Sequence, residues 1–235
     1  MKELWNWERC SVKIRSLKGR LGFSGEPVLR FLSLSLSLED GSVHDDLNNC
    51  ALQQEYRTLS DIYCILSSYA GAESTPEALR LVTAKQLQGG RYCNVMVQRA
   101  KSSIQEVFGS RSQMLVKCAR LLGGSEVRFS YGDRSVRIDS LPLAPITIVL
   151  SEKDPEFPAA AQIFFDQSIS HYLALEQVGM LSELTAERLN QAYHLLEEKR
   201  NRYLSHRRRN EGGKGHGCVL ASSQKPHLTP MSGKT

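Results

Sequence analysis

Residues 139–173, DSLPLAPITIVLSEKDPEFPAAAQIFFDQSISHYL, constrain the fold of this chain more than any other stretch. Two apolar runs, 146–150 and 159–165, are joined by only eight residues, two of them proline. A parallel crossover needs a dozen residues or more, so the runs must pair as an antiparallel hairpin. The unbroken apolar character of 146–150 marks a strand covered on both faces. The hairpin also sorts the polar residues. Asp154 and Glu156 fall at its tip, while Asp166, Ser168, His171 and Tyr172 fall at the opposite end, beside 141–143. Six to seven residues at about 3.3 Å each separate the two groups by roughly 20 Å. No single site can use both.

The rest of the chain supplies strands and helices in mixed order. Residues 10–18 read as a strand. Residues 30–38, RFLSLSLSL, alternate strictly and predict one half-buried strand ended by Glu39-Asp40-Gly41. Leu52, Tyr56, Leu59, Tyr63, Leu66 and Ala70 form one stripe of a helix over 50–70. A short helix is expected after Ser74 or Thr75, with Pro76 at its first position and Leu79 and Val82 inward. Further helices are predicted over 92–108, from Ser110 or Ser112 to Leu122, and over 183–204, where Glu198 and Arg202 pair. EVRFSY and RSVRI predict a hairpin turned at Gly132-Asp133. The expected fold is α+β: a small antiparallel sheet of three or four strands packed by several helices. It forms one domain over 8–200, followed by a disordered basic tail over 205–235 that is poor in apolar residues.

Charge follows that division. The net charge of +5 is carried by the C-terminal end, where nine basic residues face one acidic residue from Lys199 onward. Residues 1–198 hold 21 basic against 24 acidic residues, a net −3, so the basic balance is no argument that the domain binds nucleic acid. The tail run Arg207, Arg208 and Arg209 is the one electrostatic candidate for nucleic acid, and it lacks the interleaved aromatics of a stacking surface. Six cysteines show no C-x-x-C spacing, so no iron–sulfur or zinc motif is present and buried reduced thiols are expected. No apolar stretch is long enough to span a membrane, and the expected compartment is the cytoplasm.

Several pieces carry a resemblance by their order and spacing. They are LQGGRY at 87–92, FG at 108–109, LLGG and YGD within 121–133, LP and P within 141–145, DPEFPA at 154–159, and FDQS and HYL within 165–173. With them the chain resembles, over roughly residues 10–190, an uncharacterised prokaryotic family known as a domain of unknown function, DUF3786. The resemblance implies a fold and no particular reaction. It also implies a setting in anaerobes, at times near corrinoid or iron–sulfur proteins. The cysteine-rich extensions of some members are absent from this sequence.

Three functional expectations follow. The first is a non-catalytic binding or accessory protein of prokaryotic, anaerobic-type metabolism, with a protein partner possible and its ligand or cofactor unknown. The second is an enzyme or a metal- or corrinoid-binding protein. It would use Asp166 with His171 for proton transfer, Tyr172 beside them, and Glu176 as a third metal ligand. In the simpler reading of the same residues, Asp166 or Ser168 caps a short helix ending near Leu173. The third is nucleic-acid binding by the tail. Asp154 to Pro158 read as a stiff turn, and Gly89-Gly90 lack the Lys-Ser/Thr of a phosphate loop.

Overall fold

The computed structural model describes residues 5–52 and 56–212. The chain divides into two compact units, Met1–Glu197 and Glu198–Thr235. In the second, the described residues are helical and Arg202 pairs with Glu198 at 3.1 Å, the predicted i,i+4 contact. Residues 213–235, most of the expected tail, lie outside the described residues.

The first unit is α+β, with two antiparallel sheets where one was expected. Strands β1 (Val28–Phe31), β2 (Leu34–Ser37), β3 (Val43–Asp45) and β4 (Cys50–Ala51) pair in sequence order. The second sheet has the order β5-β9-β8-β7-β6, from β5 (Leu81–Val82), β6 (Ser125–Glu126), β7 (Arg134–Leu141), β8 (Ala144–Ser151) and β9 (Ala160–Asp166). The predicted hairpin is β8 and β9, in register from Ile146 opposite Phe165 to Ser151 opposite Ala160. Val136, Ile138, Ile146, Ile148, Ile163 and Phe165 line its core face, each at most 2% exposed. The helices α3 (Arg91–Phe108) and α4 (Ser112–Leu121) pack on β9 and β7 through Ile104, Phe108, Leu115 and Ala119.

Residues 10–18 are not a strand. Residues 10–15 belong to α1 (Trp7–Arg15) and 16–18 to the turn that follows it; the helix is capped by Asn6, whose side chain accepts from the Arg9 N–H at 3.0 Å. Cys10, Ile14 and Leu17 are buried at helical spacing while Val12 is exposed, so the true apolar period is near four. α1 packs against α2 (Tyr56–Tyr69), which begins later than predicted because Cys50–Ala51 extend the sheet instead. The Leu/Ser alternation is also not one strand. The chain reverses at Leu32-Ser33, both left-handed at φ 49° and 53°, the geometry of a type I′ hairpin. Phe31 then stands opposite Leu34 and Leu29 opposite Leu36, so the buried set shifts from odd to even positions across the turn, while Leu32 is buried within the turn itself. At the next turn Gly41 has φ 80° and lies directly under the Trp7 ring, so a side chain there would need the ring to move.

The predicted hairpin around Gly132-Asp133 is shortened. Val127 still bonds Ser135, but Phe129 then folds onto Phe164, with ring centroids 5.2 Å apart. The final helix starts earlier and runs further than predicted, as α6 (Leu175–Gly212), after a single turn, α5 (Ile169–Tyr172). Gly179 does not break α6: the Met96 side chain packs against it where a β-carbon would stand.

α6 carries the most deeply buried charge. Val178, Leu181, Thr185, Arg188 and Ala192 follow the 3,4 spacing of a core stripe, and Arg188 is 1% exposed. Its Nε donates to the Leu32 carbonyl at 3.1 Å, and its Nη2 to the Ser33 carbonyl at 2.9 Å and to Asp45 at 2.7 Å. Asp45 also accepts from the Leu47 N–H and from the Asn48 side chain. Burial pushes the Asp45 carboxyl up, but the bonds from Arg188 and Asn48 outweigh it and hold it below its ordinary value.

Candidate functional site

No short helix forms after Thr75; residues 73–80 run as an irregular strap across the second sheet. Its backbone groups are taken by side chains from elsewhere, which removes the reason to form helical bonds. The Tyr172 hydroxyl accepts from the Thr75 N–H at 2.8 Å and donates to the Thr75 carbonyl. Asp166 accepts from the Ala78 N–H at 2.8 Å. Glu77 is gripped by both terminal nitrogens of Arg137, one at 3.0 Å. Past the strap, the Gln167 N–H donates to the Arg80 carbonyl at 2.9 Å and leads into β5. Leu79, expected inward, is 87% exposed at φ 55°.

The strap, β5, the 3₁₀ turn at Ala84–Gln86 and residues 167–171 enclose a cleft of about 600 Å³. Thr75, Gln86, Gln88, Ser168, Ser170 and His171 give it amide, hydroxyl and imidazole groups. Pro76, Ala78, Val82 and Leu87 give it apolar surface, and no Asp, Glu, Lys or Arg lines it. The Gln86 carbonyl oxygen is engaged by the Thr83 N–H and hydroxyl in a capping box. Ser168 is 4% exposed, and its hydroxyl has no hydrogen-bond partner.

The residues of the corner singled out from sequence divide between wall and lining. Asp166 and Tyr172 are 3% and 2% exposed and hold the walls. Asp166 also accepts from the Ser168 N–H at 2.9 Å. Burial pushes its carboxyl up; the adjacent Ser168 and the N–H groups of Ser168, Ala78 and Arg80 more than offset this, leaving it below its ordinary value. Tyr172 packs on Tyr69, centroids 5.6 Å apart. His171 is exposed at the cleft, and no hydrogen bond or ion pair joins it to Asp166. Glu176 stands exposed in the first turn of α6. Among the described residues no three His, Cys, Asp or Glu side chains gather in a way that could hold a metal ion. Arg207, Arg208 and Arg209 have helical backbone within α6, and their side chains lie outside the described ones.

Elsewhere, Asp154 caps its own turn, accepting from the Glu156 N–H at 2.8 Å and the Phe157 N–H, as expected of a stiff hairpin tip. Cys10, Cys64, Cys93 and Cys118 are buried free thiols and Cys50 is exposed. Burial pushes the Cys118 thiol up to about 12, the opposite of an activated nucleophile. Among the described residues no helix is long and apolar enough to cross a membrane.

Sequence reasoning passed over the strap, the Glu77–Arg137 pair and the glutamines of the cleft. Arg188 could have been found, since it occupies a core position of its helical stripe.

Comparison with curated proteins and with solved structures gives no match. A family model does match, from residue 37 to residue 188, and so takes in Asp45, the strap, the cleft and Arg188 itself. The chain belongs to the family described as Domain of unknown function (DUF3786).

Proposed function

We propose that the protein is a non-catalytic binding protein whose ligand site is the cleft between the strap and residues 167–171. The observation that carries this reading is Ser168. Its hydroxyl is buried beside the Asp166 carboxylate yet forms no hydrogen bond of good geometry, in a corner where Asp166 and Tyr172 have their partners. An unmet buried hydroxyl costs roughly 1–3 kcal/mol, and a bound ligand that pairs with it removes that cost. The lining holds no Asp, Glu, Lys or Arg, and its amides and hydroxyls both donate and accept. It therefore favours amide-like groups of a ligand within the cleft itself. The acid that could have served catalysis, Asp166, is occupied by backbone N–H groups. Four buried unpaired thiols support a reducing, cytoplasmic setting.

Ser168→Ala tests the reading from both sides. The free protein should keep its stability or gain up to about 1 kcal/mol, because the change deletes an unpaired group. Ligand-observed NMR of the full chain against acetylated dipeptide amides, nucleosides and monosaccharides should find amide hits that weaken in this variant. A loss of 1 kcal/mol or more in the free protein, or hits indifferent to the substitution, would overturn it.

A further inference from the structure

We infer that this corner takes an extended, acidic segment of a partner polypeptide, added as a strand along the open edge of β5. The inference names the occupant of the cleft and rests on the reading above. β5 is the outermost strand of its sheet. The Gln167 N–H bonds the Arg80 carbonyl, and Leu81 stands opposite Asp166. Bonded and non-bonded pairs alternate along an antiparallel ladder. Arg80 and Val82 therefore turn their N–H and C=O groups toward β9, and Leu81 turns both away from it. Among the described residues neither group of Leu81 has a partner. A free donor and acceptor on an edge are a template for another strand.

Two more observations define what would bind. Leu79 is held left-handed at φ 55° with 87% of its surface exposed, and Leu81 is 41% exposed. The conformation persists because its flanks are fixed: the Ala78 N–H bonds Asp166 and the Arg80 carbonyl bonds the Gln167 N–H. A strained apolar side chain presented to water is suited to anchor a partner. Charge gives the partner's sign. Flanking β5, from Ala78 to Gly90, the sequence holds Arg80 and Lys85 and no Asp or Glu. Arg80 and Lys85 are exposed and form no ion pair among the described residues. Alternate side chains of an added strand would fall on the face of Arg80 and Val82, and Val82 lines the cleft. An acidic residue at one of these positions meets Arg80, and the side chain two residues further along the added strand reaches the cleft amides.

The test is a random dodecapeptide display selection on the immobilised full-length chain, with selected peptides synthesised, capped and titrated by fluorescence anisotropy at two salt concentrations. Enriched peptides should carry Asp or Glu among alternating apolar residues and bind more weakly at high salt. Leu81→Pro removes the outward N–H while leaving the bonds to β9, and Leu81→Ala, which keeps the N–H, is its control for the lost side chain. The proline variant should bind tenfold or more weakly than the alanine variant at a similar melting temperature. Leu79→Gly should raise the melting temperature and weaken binding several-fold. No enrichment over bare support, no acidic bias, or undiminished binding by both the proline and the glycine variant overturns the inference. Binding that depends on Ser168 but not on Leu81 removes strand addition and keeps the cleft; dependence on neither removes both. A dimer of the free protein broken by Leu81→Pro assigns the edge to a second copy and overturns the proposal.

Discussion

Replacing Arg188 with methionine should lower the unfolding free energy by about 3–5 kcal/mol, measured by urea denaturation at pH 7. Methionine fills much of the volume, so the loss is electrostatic. It strands the Asp45 carboxylate, 4% exposed, and frees the Leu32 and Ser33 carbonyls at a turn whose two residues are both left-handed. A lysine cannot reproduce this grip, because one ammonium cannot reach two carbonyls and a carboxylate with the fixed fork of a guanidinium. Combining Arg188→Met with Asp45→Asn should recover part of the loss, since the amide no longer buries a charge yet still accepts from the Leu47 N–H. If Arg188→Met alone costs under 1 kcal/mol, the pair is not the fastening that joins α6 to the first sheet.

The same residues show where the sequence is legible and where it is not. The β8–β9 hairpin could be read because the short connection leaves a single geometry, and the register follows from apolar runs of matching length. The Leu/Ser run could not. The buried parity shifts at the reversal, from Leu29 and Phe31 to Leu34 and Leu36, but Leu32, buried in the turn itself, continues the even-numbered pattern and hides the break; its carbonyl and that of Ser33 are held by Arg188, far away in sequence. α1 was misread because Val12 and Ile14 favour strands locally, whereas burial follows Cys10, Ile14 and Leu17. At the candidate site, the sequence points to Asp166, Ser168, His171 and Tyr172 by their composition at a strand exit. The strap they face reads as a helix in sequence because Thr75-Pro76 resembles a helix start. Its actual conformation is set by Tyr172, Asp166 and Arg137, none of them near it in sequence. Long-range capture of backbone groups leaves no local periodicity to detect.

Asp166→Ala should cost about 2–3 kcal/mol of stability and abolish binding at the cleft together. The carboxylate joins the strap at the Ala78 N–H to the start of α5 at the Ser168 N–H, so its loss frees one cleft wall and the position of Ser168 at once. Asp166→Asn retains an acceptor and should cost about 1 kcal/mol, with binding reduced rather than lost. Acid should act as the substitution does. The folded-state pKa values of Asp45 and Asp166 both lie below their ordinary value, while the unfolded chain titrates near 3.9. Below the unfolded value the unfolded state binds protons that the folded state refuses, so both contributions are full above about pH 4. They fade as the pH falls from there through the lowered folded values. Melting temperatures at pH 7, 5, 4 and 3 should therefore hold between 7 and 5 as far as these two groups decide it, then drop. The drop should be smaller in Asp166→Ala, which has already lost one of the two contributions. An identical acid profile in wild type and variant would mean that Asp166 does not carry a lowered pKa, and that the strap is held by Tyr172 and Arg137 alone.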